Sequence, residues 1–342
     1  LTSLLGTDTA TSLEELKRYP SFIAFYIITR ITINSKQRIL EMLSVFYATI
    51  IIVFLLAFQN LINGLQYGAL VDFIFILAPV VHLSLDHKNL FKAGRLAQLF
   101  LLALGSLSLL VSDSRRVLIS IVIIWFSAFN LKRSFSMTLL FLLPAIFFFQ
   151  LVDFGAEFRY EKSISQLREI VSDEGGNTDN RLRSLTTGRS VLWTAGVNLI
   201  LSNPVLGVGL DNHIALLPQY GAYKEIRIHN IFLDFAAQTG LIGLMVFVSI
   251  LIHLIRELRR LRKALLRNGL KRESTIAFSL FISFLAVIIF SFFGGSMLLG
   301  KWGWFQVGFI AAVLVVLKGN LRDYLNRQMN RHVEVEEIKG TK

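Results

Sequence analysis

The sequence predicts an all-α polytopic membrane protein, and three observations carry this prediction. The 342-residue chain is 54% hydrophobic and only 17% charged, with a mean hydropathy of +0.60. Its apolar residues form long runs, and a helix of about 20 apolar residues is what the hydrocarbon core of a bilayer requires. Its basic residues cluster between these runs, as they do in cytoplasmic loops. We therefore expect about nine transmembrane helices and one large polar segment.

The predicted spans follow one another from the N-terminus. Residues 1–19 are polar, and Ser12 with Glu15 has the spacing of a capping box at the start of a helix. The run 21–33 is a weak span because it is short and contains Arg30. The other eight predicted spans are 40–58, 69–85, 96–111, 117–129, 135–152, 230–255, 274–298 and 302–317.

Charge distribution sets the predicted topology. Residues 256–272 hold eight Lys and Arg against one Glu, whereas residues 153–230 hold eight against nine Asp and Glu. The first segment is therefore predicted to be a cytoplasmic loop and the second an outer, partly helical loop. Although the net charge of +12 also occurs in nucleic-acid-binding proteins, this asymmetry favours a topological role and no nucleic acid partner. The basic segments predicted inside with 256–272 are 35–38, 87–95, 132–133 and the C-terminus.

This topology divides the chain into four parts. They are N-terminal transmembrane helices at 1–152, a periplasmic loop at 153–230, C-terminal transmembrane helices at 231–317 and a cytoplasmic tail at 318–342. The N-terminus is predicted outside, an orientation that missing upstream helices would explain, because the chain begins with Leu1. No signal peptide is visible.

Residues 153–230 are too many for a structureless connection, and loops of this length usually carry function. Residues 159–171 read as an amphipathic helix. A second helix is predicted to begin at 186–188 and to run to Leu201, where Asn203 and Pro204 end it. Gly207 and Gly209 then mark a turn, for which we expect a packing role because a lone GxG pattern is weak evidence of phosphate binding.

Arginine supplies the candidate anion-binding residues. Arg115 and Arg116 lie in a turn between two predicted spans, and an arginine at membrane depth is by default a functional hypothesis. Arg181, Arg183 and Arg189 lie in the outer loop, where guanidinium groups suit a phosphate-bearing lipid headgroup. Contact with solvent or with ordinary anionic lipids is the simpler alternative for all of them.

Histidine supplies the candidate base. His229 precedes Asn230 at the boundary between the outer loop and the next span, where it could deprotonate a hydroxyl. His213 competes with it, and a lone histidine is more often structural. No cysteine occurs, and neither Asp-x-Asp, HExxH, GxSxG nor a Walker A motif is present. We therefore expect neither a metal nor a cofactor.

Several of these residues stand in an order that resembles the bacterial O-antigen ligase and O-antigen polymerase superfamily. His229 and Gly240 match its His-x10-Gly element, and residues 181–185 match its Arg-x3-Leu element. Residues 112–115 resemble its Ser-x-Ser-Arg turn. A Gly-Arg-x3-Trp cluster ending at Trp193 lies between the Arg-x3-Leu and His-x10-Gly elements. The resemblance covers residues 96–317, and the N-terminal third agrees only in hydropathy.

The resemblance implies a GT-C-like glycosyltransferase of the bacterial inner membrane whose active site faces the periplasm. The donor would be a glycan on undecaprenyl diphosphate, and the acceptor a hydroxyl of lipid A–core. Arg115 and Arg189 would stabilise the diphosphate without a metal, and His229 would activate the acceptor. Arg116, Arg181, Arg183, Trp193 and Asn230 would bind substrate.

Two other functions remain open at this stage. A polymerase that extends the lipid-linked glycan would use the same chemistry, and the sequence separates it poorly from the ligase. A transporter of the lipid-linked glycan would belong to another class. Transporters place charges and broken helices near the middle of the membrane and contain internal repeats, whereas no repeat is visible here.

Overall fold

The computed structural model describes residues 7–46, 48–49, 189–222, 225–292 and 301–340. These residues form helices and no strand. Three helical stretches are long and apolar enough to cross a membrane: Ile231–Arg267, Lys271–Phe292, and Gly303–Glu334 within the longer C-terminal helix. The prediction of an all-α membrane protein is therefore confirmed. The count of about nine spans and the GT-C-like fold stay predictions, because five of the predicted spans lie wholly or largely outside the described residues.

The helices are numbered here in chain order. A short 3-10 helix, Leu217–Tyr220, follows α5. The eight α-helices are α1 (Thr9–Leu16), α2 (Tyr19–Thr32), α3 (36–46), α4 (Arg189–Ser202), α5 (Asn212–Leu216), α6 (Ile231–Arg267), α7 (Lys271–Phe292) and α8 (Lys301–Gly340).

Asp8 is the N-cap of α1. Its Oδ1 accepts hydrogen bonds from the backbone N–H groups of Ala10 and Thr11, at 2.9 and 3.3 Å. The Thr11 hydroxyl donates to Oδ2 at 2.6 Å, and this bond, with the one from the Thr11 backbone, holds the pKa of Asp8 below its ordinary value. The predicted capping box is therefore wrong. Ser12 lies inside α1, and its buried hydroxyl donates to the carbonyl of Leu210 at 3.4 Å.

Helix α2 is the weak span of the sequence analysis. Its 14 residues extend about 21 Å, less than the roughly 30 Å of a hydrocarbon core. It packs against α8, where a side chain at Gly308 would come within 3.1 Å of the Tyr26 backbone. The small residue thus permits close contact between two apolar helices, as is common in membranes.

Most of the stretch 256–272 is not a loop, as the sequence predicted. Residues 271 and 272 begin α7, and residues 256–267 are the end of α6. The helix continues to Arg267, since Arg, Leu, Lys and Ala are all strong helix formers. Leu258, Leu261 and Leu265 recur at helical spacing and are buried in the core that α6 shares with α7. The chain reverses only at Asn268–Leu270, where Gly269 has a φ of 75°.

Two further expected boundaries are absent. Residues 36–38, predicted as part of a basic loop, form the first turn of α3, and Ser35 Oγ accepts from the Arg38 N–H at 3.3 Å. Lys318, predicted to begin a charged tail, lies within the continuous helix α8. In both places basic residues continue a helix beyond an apolar run, so a change of hydropathy does not mark the end of the helix.

Contacts between remote segments agree with the predicted sides of the membrane. Lys36 forms an ion pair with Glu273 at the start of α7, which joins two segments predicted inside. At the other end, the Thr7 N–H donates to the Val208 carbonyl at 3.2 Å, and Asn212 Nδ2 donates to the Asp8 carbonyl at 3.0 Å. The N-terminal residues and the outer segment, both predicted outside, are therefore in contact.

Burial on the basic part of α6 should govern its stability. The Leu258→Ala variant should lose about 2–5 kcal/mol of unfolding free energy, because Leu258 is fully buried and its removal leaves a cavity. The Leu266→Ala variant, at a position that is 48% exposed, should lose well under half as much. Thermal unfolding in detergent would compare them, and equal losses would contradict the packing described here.

Candidate functional site

Helix α4 follows the course that the sequence predicts. Within the described residues it runs from Arg189 to Ser202, and the Asn203 N–H closes it with bonds to the carbonyls of Leu199 and Ile200, both at 3.1 Å. Its inner face packs against the segment before α6. A Cβ on Gly196 would lie 2.8 Å from Cδ1 of Ile228, so glycine lets α4 approach this side chain closely.

Helix α6 is broken at Gly240, which has a φ of 70° and a ψ of −175°. This region of backbone space is essentially restricted to glycine. The rings of Phe235 and Phe247 stack with centroids 4.6 Å apart, whereas a straight helix would separate residues at this spacing by about 18 Å. The arm 231–239 therefore folds back toward the arm 241–267.

Residues 204–209, which we call the strap, satisfy the backbone groups that the break exposes. The N–H groups of Val208 and Gly209 donate to the carbonyls of Ala237 and Gln238, at 2.9 and 3.0 Å. The Leu241 N–H donates to the Pro204 carbonyl at 2.8 Å. Each of these groups would otherwise lack a partner within the helix.

Close packing of the strap on the break explains its glycines. Gly207 has a φ of 68°, and a Cβ there would lie 2.5 Å from the Ala237 carbonyl oxygen. A Cβ on Gly240 would lie 2.1 Å from the Val205 carbonyl oxygen. The predicted packing role is therefore confirmed for Gly207.

The Gly240→Ala variant should have a free energy of unfolding lower than that of the native chain by about 3 kcal/mol or more. The reason is that backbone strain and a clash with the strap add together. Gly269→Ala is the matched control, since Gly269 has a φ of 75° but no atom within 4 Å of its Cβ position. Chemical denaturation in detergent would compare the two. Equal losses would mean that the strap contact contributes nothing beyond the strain.

His229 occupies a fixed corner between the outer segment and α6. It has a φ of 59°, in the left-handed region, and is partly exposed. The next residue, Asn230, is buried and caps α6, because its Oδ1 accepts from the N–H groups of Phe232 and Leu233 at 3.0 and 3.2 Å. The structure thus gives Asn230 a capping role, and the substrate contact expected for it stays a prediction.

A buried carboxylate holds the backbone beside His229. Asp234 Oδ1 accepts from the Ile228 N–H at 3.1 Å and lies 3.1 Å from Nε2 of His213. Both His213 and Asp234 are almost completely buried. Of the two competing histidines, His213 is therefore the structural one in this arrangement, and His229 is the one that remains accessible.

A second charged pair braces the same region. Arg227 Nη2 lies 2.8 Å from Asp211 Oδ1 and 2.9 Å from Oδ2. Asp211 has a φ of 59°, and its N–H donates to Oε1 of Gln238 at 3.3 Å. The segment before α5, the segment before His229 and the last turn of the first arm of α6 are thus linked by polar contacts.

Trp193 joins α4 to an aromatic cluster between the helices. Its ring meets that of Phe292 with centroids 6.1 Å apart, and Phe292 meets Phe232 at 6.0 Å. Trp193 is half-buried, and its buried Nε1 has no hydrogen-bond partner within the part of the chain that the structure describes. The cluster shows what the indole packs against, and the expected substrate contact stays a prediction.

The structure places two of the three predicted catalytic residues. Arg189 begins α4, which contacts the His229 corner through Gly196 and Ile228. Arg189 is partly exposed and lies seven residues, or about 10 Å of helix, before Gly196. The remaining candidates, Arg115, Arg116, Arg181 and Arg183, lie outside the described residues.

Sequence reasoning missed the residues that hold the corner. Asp234 gives a signal, because it is a lone acid near the start of an apolar run and such acids are rare without a partner. Its partner His213 lies 21 residues away, and nothing in the local sequence pairs them. Gln238 and Arg227 give no signal at all.

The Asp234→Ala variant should be destabilised by about 2–4 kcal/mol, because the buried Ile228 N–H and the His213 ring both lose an acceptor. Asp323→Ala is the matched control, since Asp323 is exposed on α8 and should cost under about 0.5 kcal/mol. Thermal unfolding in detergent is the measurement. A native melting temperature for Asp234→Ala would show that the carboxylate does not brace the corner.

Comparison with protein families decides what this arrangement belongs to. Residues 100–248 match the family model described as O-antigen ligase. The match contains residues 112–115, which lie outside the described residues, together with α4, the strap, the His229 corner and the break at Gly240. This part of the chain is therefore similar to the O-antigen ligase family. The superfamily predicted from the sequence is thus confirmed, and no curated protein matches the chain.

Proposed function

We propose that this O-antigen ligase-family protein transfers a glycan from undecaprenyl diphosphate to a hydroxyl of lipid A–core at the periplasmic face of the inner membrane. The acceptor oxygen would attack the anomeric carbon of the donor. The bond from that carbon to the diphosphate oxygen breaks, and undecaprenyl diphosphate leaves with the electron pair. The acceptor proton passes to a base.

The observation that carries this proposal is the braced corner at His229 within the matched domain. Its histidine is held in a left-handed conformation, remains partly exposed and lies at the end of a membrane helix. An imidazole near neutral pH can take the proton of an acceptor hydroxyl. His213, the other histidine of this region, is buried against Asp234 and does not reach the surface.

Arg189 is the proposed donor-binding residue on the described elements. It is the first residue of the described part of α4 and carries a permanent positive charge. This charge would stabilise the negative charge that develops on the departing diphosphate. Arg115 would supply a second cation, and Arg116, Arg181 and Arg183 would contact the donor. Cations of this kind make a divalent metal unnecessary in the proposed reaction.

Replacing the proposed catalytic residues should abolish transfer without loss of folded protein. His229→Ala should lower the rate by about 10²–10⁴-fold, the usual contribution of a general base. Arg189→Ala should lower it by about 10²–10³-fold, and Arg189→Lys should recover only part of the loss, since lysine lacks the bidentate guanidinium. The assay uses purified protein, undecaprenyl-diphosphate glycan, lipid A–core and EDTA.

Matched controls come from the basic end of α6. His253→Ala and Arg260→Ala change exposed residues of the same types and should leave the rate within about twofold, because neither approaches the corner. Normal activity in His229→Ala would remove that residue from the reaction. Dependence on an added divalent metal would overturn the arginine-based mechanism.

The same experiment separates the ligase from the alternative, a polymerase that extends the lipid-linked glycan. A ligase forms a conjugate with lipid A–core, whereas a polymerase lengthens the glycan on its carrier when lipid A–core is absent.

In a deletion strain, complete core without O-antigen would indicate the ligase. Core bearing a single repeat unit would indicate the polymerase.

A further inference from the structure

An exposed apolar surface surrounds the break in α6. Leu201 at the end of α4 is 70% exposed, and Met245 in the second arm of α6 is 61% exposed. The surface also includes side chains of the strap and side chains of the part of α6 that the strap contacts. Its other members are Val197, Val205, Leu206, Leu241, Ile242 and Val246.

This surface is continuous with a membrane-spanning helix. The hydrogen bond from Leu241 to Pro204 and the contact between Gly240 and Val205 fix the strap directly against the first turn of the second arm. That arm contains the apolar run of α6, whose exposed side chains face lipid if the helix spans the bilayer. The strap therefore extends the lipid-facing side of α6 sideways.

The charges of α6 supply a depth scale. Arg256 is the first charged residue after the break, and it lies 16 residues beyond Gly240, or about 24 Å along the helix. With Arg256 at one boundary of a hydrocarbon core about 30 Å thick, Gly240 and the strap lie roughly 6 Å inside the opposite boundary. Tilting the helix would place them deeper.

Several polar groups at the break and at the end of α4 are paired within the protein. The carbonyls of Ala237, Gln238 and Pro204 all accept backbone hydrogen bonds. The hydroxyls of Ser202 and Thr239 donate to the carbonyls of residues four positions earlier, at 3.1 and 2.7 Å. Irregular backbone is tolerated in a bilayer only where its polar groups are satisfied in this way.

The charged end of α4 remains compatible with this depth. Arg189 lies 12 residues before Leu201, a separation of about 18 Å along the helix. A long arginine side chain can also extend to the headgroups when its backbone lies deeper in the bilayer. Helix α4 can therefore keep its cation at the water boundary while its C-terminal end is surrounded by acyl chains.

We propose that the end of α4 and the strap, residues 197–206, are immersed in the acyl-chain region of the leaflet opposite to the basic end of α6. This segment was predicted as part of the partly helical periplasmic loop at 153–230. Its occupant would be bilayer lipid, not solvent, a partner protein or a second copy of the chain. The proposal is independent of the reaction, because it concerns only where the segment lies.

The chain contains no cysteine, so single cysteines can be introduced into the full-length protein without removing others. Leu201→Cys and Val205→Cys each report on the segment, and their native side chains are exposed, so little packing is lost. Met245→Cys is the lipid-facing reference, and Gln219→Cys, at an exposed polar position after α5, is the aqueous reference. Each variant is labelled with a bimane fluorophore and reconstituted into lipid nanodiscs.

Quenching by brominated phosphatidylcholine and by iodide then distinguishes the environments. We expect labels at 201 and 205 to be quenched by brominated lipid to the extent seen at 245, and several-fold less by iodide than the label at 219. Quenching by iodide at the level of 219 would overturn the proposal in favour of a water-exposed loop. Quenching by neither reagent would overturn it in favour of a protein-covered surface.

Discussion

The hydrogen bonds between the strap and the broken helix are the constraint on which the rest of the described outer region depends. Gly240 ends one helical arm and begins another, which removes helical partners from Ala237, Gln238 and Leu241. Leaving such groups unpaired costs about 1–3 kcal/mol each, and more in hydrocarbon. The strap supplies all three partners. It also connects α4 to α5, so its position fixes both.

Those bonds help to explain why His229 is partly exposed whereas His213 is buried. The folded-back arm carries Asp234 under the chain, where it meets both His213 and the Ile228 backbone. A buried carboxylate needs such partners because its desolvation is expensive. One carboxylate oxygen, Oδ1, thereby contacts both the His213 ring and the Ile228 backbone, and the nearby His229 is partly exposed with a left-handed backbone conformation.

The sequence predicted features with local causes. Membrane character follows from hydropathy, the course of α4 from its Asn203–Pro204 end, and the packing of Gly207 from its position in a turn. It failed where the cause was not local. Ser12 has the spacing of a cap, but Asp8 accepts the bonds. The stretch 256–272 has the charge that is typical of a loop, but most of its residues have a high helix propensity. Its Leu258 side chain is buried in the core shared with α7. The pairing of His213 with Asp234 depends on the fold of α6.

A break that is satisfied by a neighbouring segment has a consequence for where chemistry can occur. A straight α6 would place residue 231 about 13 Å further from Arg256 than Gly240 is, beyond the membrane. Folding the first arm back brings Phe232 to within 6.2 Å of Phe247, ring to ring, and so carries the His229 corner toward the bilayer. In the proposed transfer, this fold would keep the candidate base, His229, beside the part of α6 that can span the bilayer, where lipid-anchored substrates could reach it.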